Sequence, residues 1–195
     1  MLDLLAKKIE QADVYYKKLI SNPKRQYEES RIDLMVRGVT SAQLFLWFGQ
    51  RMKDLTTPER KQGLFLNPIV PAHLEHYALP PYSAGIVKTI GARIAGVRIQ
   101  ADVEIPEFVL EYGDPTYKQL PAVENLGDGS VLFYILQELK DSEDGCLFKL
   151  RLLSPAAVPQ TLFDEHAEHS AVESRSFITA AFESDEKSSD GMREG

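Results

Sequence analysis

The feature that most constrains the fold is a pair of short apolar segments that flank one polar loop. The segments run from Val131 to Leu139 and from Cys146 to Leu153, and Lys-Asp-Ser-Glu-Asp-Gly connects them at 140–145. Short apolar runs bounded by a glycine-containing turn predict a β-hairpin. No crossover helix can fit between the two segments, which favours an antiparallel sheet over a parallel one.

Further strands are predicted on either side of this hairpin. Apolar and polar residues alternate over 97–105 and again over 108–112, as expected of a half-buried strand. Residues 83–97 fit either an amphipathic helix or a strand, but their three glycines and several β-branched side chains favour a strand. We expect residues 176–182 to form a closing strand.

The first 63 residues have a helical pattern instead. One apolar stripe repeats with the 3,4 spacing of a helix face. It consists of Leu2, Leu5, Ile9, Ala12, Tyr16 and Leu19. This stripe predicts either packing on its own domain or self-association and partner docking, because its spacing matches a short coiled-coil heptad.

Three more helices are predicted in this region. The first is expected over 26–37 and ends at Gly38, a typical left-handed cap. Thr40 and Ser41 would cap the next helix, which is apolar nearly all round. A short helix should follow Pro58. The predicted fold class is therefore α+β, an N-terminal helical module followed by an antiparallel β domain.

Composition divides the chain in the same way. The helical module covers 1–63, a proline-rich connector covers 64–82, the β domain covers 83–182, and a charged tail at 183–195 is expected to be disordered.

Charge follows this division. The chain has a net charge of -7, with 12 basic and 8 acidic residues up to position 63 and 10 basic against 21 acidic residues after it. An acidic body does not attract nucleic acid over its whole surface, since phosphates are bound by clustered Lys and Arg. The basic first module leaves local contact with an anionic partner open. A second possible contact for a membrane surface or a phosphate is formed by Lys88, Arg93 and Arg98.

A single cysteine, Cys146, excludes an internal disulfide, and no apolar run approaches the roughly 20 residues of a membrane-spanning helix. The N-terminal ten residues carry charges and lack the apolar region of a signal peptide. We therefore expect an intracellular, cytoplasmic protein in a reducing compartment, without a transmembrane segment. Inside an apolar strand, the Cys146 thiol should be unreactive.

All four histidines occur in two copies of one short pattern. The residues are His73, His76, His166 and His169. Histidines three apart share a helix face, and imidazole is a common ligand of transition metals such as zinc. If the two pairs met in space they would form a metal site, although their spacing matches no recognised zinc motif. We predict a protein without a cofactor, and a bound transition metal such as zinc is the alternative.

Catalytic motifs are missing from the sequence, which favours a non-enzymatic function. The leading hypothesis is a protein-interaction or assembly protein that forms a homo-oligomer or docks a protein partner through the N-terminal stripe; a viral or phage structural component is one such setting. A metal-dependent hydrolase using the two histidine pairs is the first alternative. Peripheral membrane or nucleic-acid contact through the basic module is the second.

Overall fold

The computed structural model describes residues 2–21, 27–56, 77–78, 85–101, 103–155 and 158–190. These residues form an α+β fold, as predicted, in which helices pack on an antiparallel sheet. The helices are α1 (Leu2–Ile20), α2 (Ser41–Thr56), α3 (Glu107–Glu111) and α4 (Gln160–Asp190). The strands are β1 (Tyr27–Arg37), β2 (Tyr77–Ala78), β3 (Gly85–Ile90), β4 (Arg93–Gln100), β5 (Lys118–Leu126), β6 (Val131–Ser142) and β7 (Gly145–Pro155).

The sheet contains seven strands in the order β1-β7-β6-β5-β4-β3-β2, and every neighbouring pair is antiparallel. The predicted hairpin is confirmed as β6 and β7, with Ser142 opposite Gly145. Gly145 has a φ of 155°, and a Cβ there would lie 2.0 Å from the carbonyl oxygen of Val36. Glycine is therefore required where β7 starts against the end of β1.

Within the segment 83–97, residues 85–90 and 93–97 are in strands, as favoured from its glycines and β-branched side chains. Strands β3 and β4 form a hairpin in which Ile90 lies opposite Arg93. Gly91 and Ala92 make the turn, both with positive φ, at 49° and 59°. Such angles match the two central residues of the tight turns that join twisted strands.

The helix predicted over 26–37 is wrong: residues 27–37 form β1, which pairs with β7 along its whole length. The side chains of Ile32, Leu34 and Val36 are at least half-buried and alternate with the exposed side chains of Asp33 and Met35, a period of two that matches a strand. Gly38 does take the expected left-handed conformation, at φ 74°, but it ends a strand. Because β1 belongs to the same sheet as β3 to β7, the N-terminal residues share one core with the β region.

Two other predicted strands are wrong. Residues 108–112 lie in and after the short helix α3, where Pro106 precedes the first turn. Residues 176–182 belong to the long helix α4, whose buried positions Ser174, Phe177 and Ala181 have helical spacing. Helix α4 continues to Asp190, into the tail predicted from 183. Residues 191–195 lie outside the described part of the chain. The proline-rich connector residues 64–76 and the helix predicted after Pro58 lie outside it as well.

Helix α1 forms as its stripe predicts and packs against β4. Ala12 and Tyr16 are buried, and the Tyr16 hydroxyl donates a hydrogen bond to the carbonyl oxygen of Ile90. The guanidinium of Arg93 lies 3.6 Å from the centre of the Tyr15 ring, a cation–π contact at the edge of this interface.

Helix α2 begins where Thr40 and Ser41 predicted. The Thr40 hydroxyl accepts a hydrogen bond from the backbone N–H of Gln43, which caps the helix. The carboxylate of Asp141, at the end of β6, accepts from the backbone N–H of Ser41 at 2.7 Å. This contact lowers the pKa of Asp141 and fixes the start of α2 against the β6–β7 hairpin.

The two faces of the sheet are covered by different elements. Helices α2 and α4 pack on one face, which we call the cavity face; its central side chains include Ile99, Ile135 and Leu152. Helix α3 and the loops beside it cover the opposite face, where Val109 is fully buried.

Candidate functional site

A cavity of about 290 Å³ lies between the cavity face, α2 and α4. Most of its wall is apolar, with side chains from six of the strands and helices that surround it. These include Phe48, Ile99, Leu120, Ile135, Leu150 and Phe177. Its volume is at the lower end of the range of small-molecule sites, about 300 to 1,000 Å³.

The strand register places two charged side chains in this apolar wall. Lys88 lies opposite Ala95 in the β3–β4 pair, and Glu124 lies opposite Ile99 in the β4–β5 pair. Directly opposed residues of antiparallel strands point to the same face, and so do residues two apart along one strand. Both side chains therefore reach the cavity across β4.

Lys88 and Glu124 form a buried ion pair. Lys88 Nζ donates to Glu124 Oε2 at 2.7 Å, and the two side chains are only 4% and 1% exposed. Burial by itself would lower the pKa of Lys88, but the carboxylates of Glu124 and Glu173 together raise it above its ordinary value. Lys88 therefore carries its positive charge inside the core.

Helix α4 supplies the polar side of the cavity wall. His166, Ser170, Glu173 and Phe177 follow one another at intervals of three or four residues, and Ser174 lies four residues after Ser170, so one helix face lines the cavity. The imidazole Nδ1 of His166 is hydrogen-bonded to the Ser170 hydroxyl at 3.0 Å.

His166 is an uncharged histidine at neutral pH. Its burial, and after that the positive charge of Lys88, lowers its pKa to about 3. A neutral imidazole has one nitrogen that donates and one that accepts a hydrogen bond. Since Nδ1 is bonded to Ser170, Nε2 is the nitrogen that remains for a further partner.

Two buried polar atoms of this cavity have no partner within the described residues: Glu124 Oε1 and His166 Nε2. An unsatisfied buried polar atom costs about 1–3 kcal/mol, so such atoms are rare in folded proteins. Both belong to residues that line the cavity. The cavity therefore combines an apolar wall with unused hydrogen-bonding capacity, as ligand sites do.

A second hollow, of about 430 Å³, lies beside the end of α1 and the start of β6. It is more open, and the partly exposed Lys17 and the exposed Ser21 form part of its lining. No unpartnered buried atom of the described chain belongs to its walls. The smaller, enclosed cavity is the better candidate site.

The structure describes two of the four histidines of the predicted metal cluster. His166 and His169 lie on one face of α4 with ring centres 5.9 Å apart, whereas His73 and His76 lie outside the described residues. His169 Nε2 is 3.1 Å from Glu173 Oε1. In the part of the chain with assigned structure, no three His, Cys, Asp or Glu side chains are grouped as metal ligands. The hydrolase hypothesis stays a prediction.

Lys88 is wrongly predicted as a surface contact for a membrane or a phosphate. It is buried against Glu124, because the β3 positions on the cavity face are covered by helix α4. Of the other two residues of that set, Arg93 is exposed and packs on Tyr15, and Arg98 is half-buried. The three side chains do not form one basic surface.

The N-terminal stripe faces the chain's own sheet. Ala12 and Tyr16 are 1% and 0% exposed, and Leu5, Ile9 and Leu19 are half-buried. The side chain of Leu2 lies outside the described part of the chain. Packing on its own domain, one of the two interpretations of the stripe, is thus observed; its role in self-association stays a prediction.

Cys146 is buried between β1 and β6, as expected. Burial, and after that the charge of Asp141, raises the pKa of its thiol to about 11. At neutral pH the thiol is protonated and unreactive.

The chain was compared with known proteins. No family model matches it, and no curated protein matches it. A distant structural neighbour is the crystal structure of Ara h 8.0201, which aligns with a TM-score of 0.49 and 12% sequence identity over 81% of this chain and 99% of that chain. Among the described helices, none is long and apolar enough to cross a membrane.

Proposed function

We propose that the protein binds a small, mostly apolar molecule in the cavity between the sheet and α4. The observation that carries this proposal is the pair of unpartnered buried atoms, Glu124 Oε1 and His166 Nε2, in a cavity whose wall is mostly apolar. Apolar walls favour an apolar ligand through the hydrophobic effect. A few polar groups in such a wall orient the ligand and select its polar end.

The size and enclosure of the cavity also support a small molecule over a macromolecule. The polar side chains Lys88, Glu124 and His166 are each at most 5% exposed, so a protein surface could not reach them. A space of about 290 Å³ is large enough for a compact organic molecule.

Titration with N-phenyl-1-naphthylamine, a neutral dye whose fluorescence rises in apolar surroundings, tests the proposal. We expect saturable binding to the wild-type protein. Ala122→Phe would place a ring in the cavity, because Ala122 lines it and is buried, and should weaken dye binding at least about tenfold. Ala101→Phe, at a half-buried lining position, is a second blocking variant.

Ala42→Phe is the matched control, since Ala42 is exposed on α2 and does not line the cavity. Circular dichroism would show that each variant is folded. The proposal fails if the wild-type protein does not bind the dye, or if both folded blocking variants bind it as tightly as the control does.

Assembly through α1 is a separate proposal that rests on the heptad spacing of the stripe. Deleting residues 1–20 would remove Ala12 and Tyr16 from the core and would therefore change the fold as well as any interface. Val14→Glu is a cleaner variant, because Val14 is 67% exposed on the outer face of α1. A lower oligomer mass by light scattering would support assembly, and an unchanged mass would count against a role for that outer face.

A further inference from the structure

The charges around the cavity select among possible ligands, and this selection rests on the proposed function. Lys88 and Glu124 compensate each other in their ion pair. Glu173, on the α4 side of the cavity, adds negative charge that raises the pKa of Lys88. A carboxylate ligand would face two carboxylates. An ammonium ligand would lie beside the Lys88 ammonium and has no acceptor for an N–H of Lys88 or of His166. An uncharged polar group avoids both repulsions.

The unpartnered atoms specify the hydrogen bonds that this uncharged group has to make. Glu124 Oε1 is a carboxylate oxygen and can only accept, so the ligand must donate. His166 Nε2 donates when the Ser170 hydroxyl donates to Nδ1, and accepts when Nδ1–H donates to that hydroxyl. A group that both donates and accepts meets either arrangement.

From these two requirements, we infer that the ligand of the cavity is an apolar alcohol or phenol whose hydroxyl lies between Glu124, Lys88 and His166. The hydroxyl donates to Glu124 Oε1 and is available as an acceptor for Nε2–H of His166 or for a free proton of the Lys88 ammonium. A hydroxyl is the smallest neutral group with both capacities. Ethers and ketones lack the donor, and a fatty acid carries the wrong charge.

Calorimetric titration at neutral pH with four compounds that share one ring system tests the inference. The probes are 2-naphthol, 2-methoxynaphthalene, naphthalene and 2-naphthoate. We expect 2-naphthol to bind at least about tenfold more tightly than the other three, since each of them leaves Glu124 Oε1 buried without a donor.

The double variant Lys88→Met/Glu124→Leu replaces the ion pair with apolar side chains of similar size. Its preference for 2-naphthol over 2-methoxynaphthalene should fall to less than about threefold, because the acceptor is gone. Lys17→Met/Asp128→Leu is the matched control: it removes an ion pair with side chains 42% and 45% exposed, and should keep the wild-type preference.

The outcomes separate this inference from the function on which it rests. Equal affinities for 2-naphthol, its methyl ether and naphthalene would overturn the inference and leave an apolar binding cavity. Tightest binding of 2-naphthoate would overturn it in favour of an anionic ligand. If the wild-type protein binds neither these probes nor the dye, the proposed function itself fails. If the double variant does not fold, the order of the four wild-type affinities decides.

Discussion

The two faces of the sheet each bury an ion pair, and the two pairs differ in how completely they are hydrogen-bonded. On the face covered by α3, Glu138 accepts from Arg151 Nε at 2.6 Å with one oxygen and from the backbone N–H of Asp114 at 2.6 Å with the other. Arg151 also donates to Glu29 at 2.7 Å. On the cavity face, Glu124 accepts from Lys88 with one oxygen, and its other oxygen has no partner among the described residues.

The difference separates a pair that holds elements of the fold together from a pair that borders the cavity. The Glu138 carboxylate connects β6, β7 and the loop after α3, so both of its oxygens are used in holding elements together. The Glu124 carboxylate holds only Lys88 and leaves its second oxygen at the cavity. A buried ion pair with an unused hydrogen-bond acceptor lowers the stability of the fold unless a further donor binds to that acceptor.

The largest expected loss of stability comes from breaking the Glu138–Arg151 ion pair, in which both carboxylate oxygens are hydrogen-bonded. Glu138→Gln should lower the free energy of unfolding by about 3–5 kcal/mol, because Arg151 would keep a buried charge without its closest counter-ion. Urea denaturation of the wild-type and variant proteins measures this loss. A loss under about 1 kcal/mol would show that the network does not stabilise the fold as its geometry indicates.

A smaller loss is expected on the cavity face. Lys88→Met should cost about 2–3 kcal/mol, since Glu124 loses its counter-ion but the adjoining cavity can admit water to it. Adding Glu124→Leu should recover part of this loss, because no buried charge then remains.

The same denaturation measurement applies to this pair of variants, with Lys17→Met as the control. Lys17 forms the exposed ion pair with Asp128, and its removal should leave the unfolding midpoint nearly unchanged. If the double variant is less stable than Lys88→Met alone, the ion pair is not the source of the loss and the comparison between the two faces breaks down.

The third expected effect is a pH dependence of the free energy of unfolding, and it comes from His166. In the unfolded chain its pKa is near the ordinary 6.5, and burial lowers it to about 3 in the folded protein. Between these values the unfolded state binds a proton that the folded state does not, so stability is lost as the pH falls, by up to about 1.4 kcal/mol per pH unit.

His166→Gln should remove this contribution. Urea denaturation between pH 7 and pH 4 would then give a shallower loss of stability for the variant than for the wild-type protein, with the curves separating below the ordinary histidine pKa. Parallel curves would mean that His166 becomes protonated in the folded state, and the cavity would then be charged in acid.

Local sequence patterns predicted the elements that local rules govern. The β6–β7 hairpin and the β3–β4 strands follow from short apolar runs and glycines, and α1 follows from its 3,4 spacing. The same rules should have identified β1, since the β-branched or apolar residues Ile32, Leu34 and Val36 occupy every second position. They should also have identified α4, whose face His166, Ser170, Ser174 and Phe177 repeats with helical spacing.

The candidate site was less predictable, for a physical reason. His166 was selected from the sequence as a possible metal ligand and Lys88 as a surface charge, whereas Glu124 and the α4 serines were not selected. What joins Lys88 to Glu124, 36 residues further along the chain, is the register of three strands. The only local signal for the pair is a charged residue inside an otherwise apolar strand, which is unusual for a buried position.

The pairing of β1 with β7 has a consequence for how the molecule forms. Glu29 on β1 and Arg151 on β7 lie 122 residues apart, so the chain must be made as far as β7 before β1 acquires its neighbour. Until then the strand's hydrogen-bonding groups are open to other chains, a route to aggregation. Contacts between such distant residues slow folding, so we expect this protein to fold more slowly than small helical domains do. During synthesis on the ribosome, the cavity between the sheet and α4 would therefore be among the last features to form.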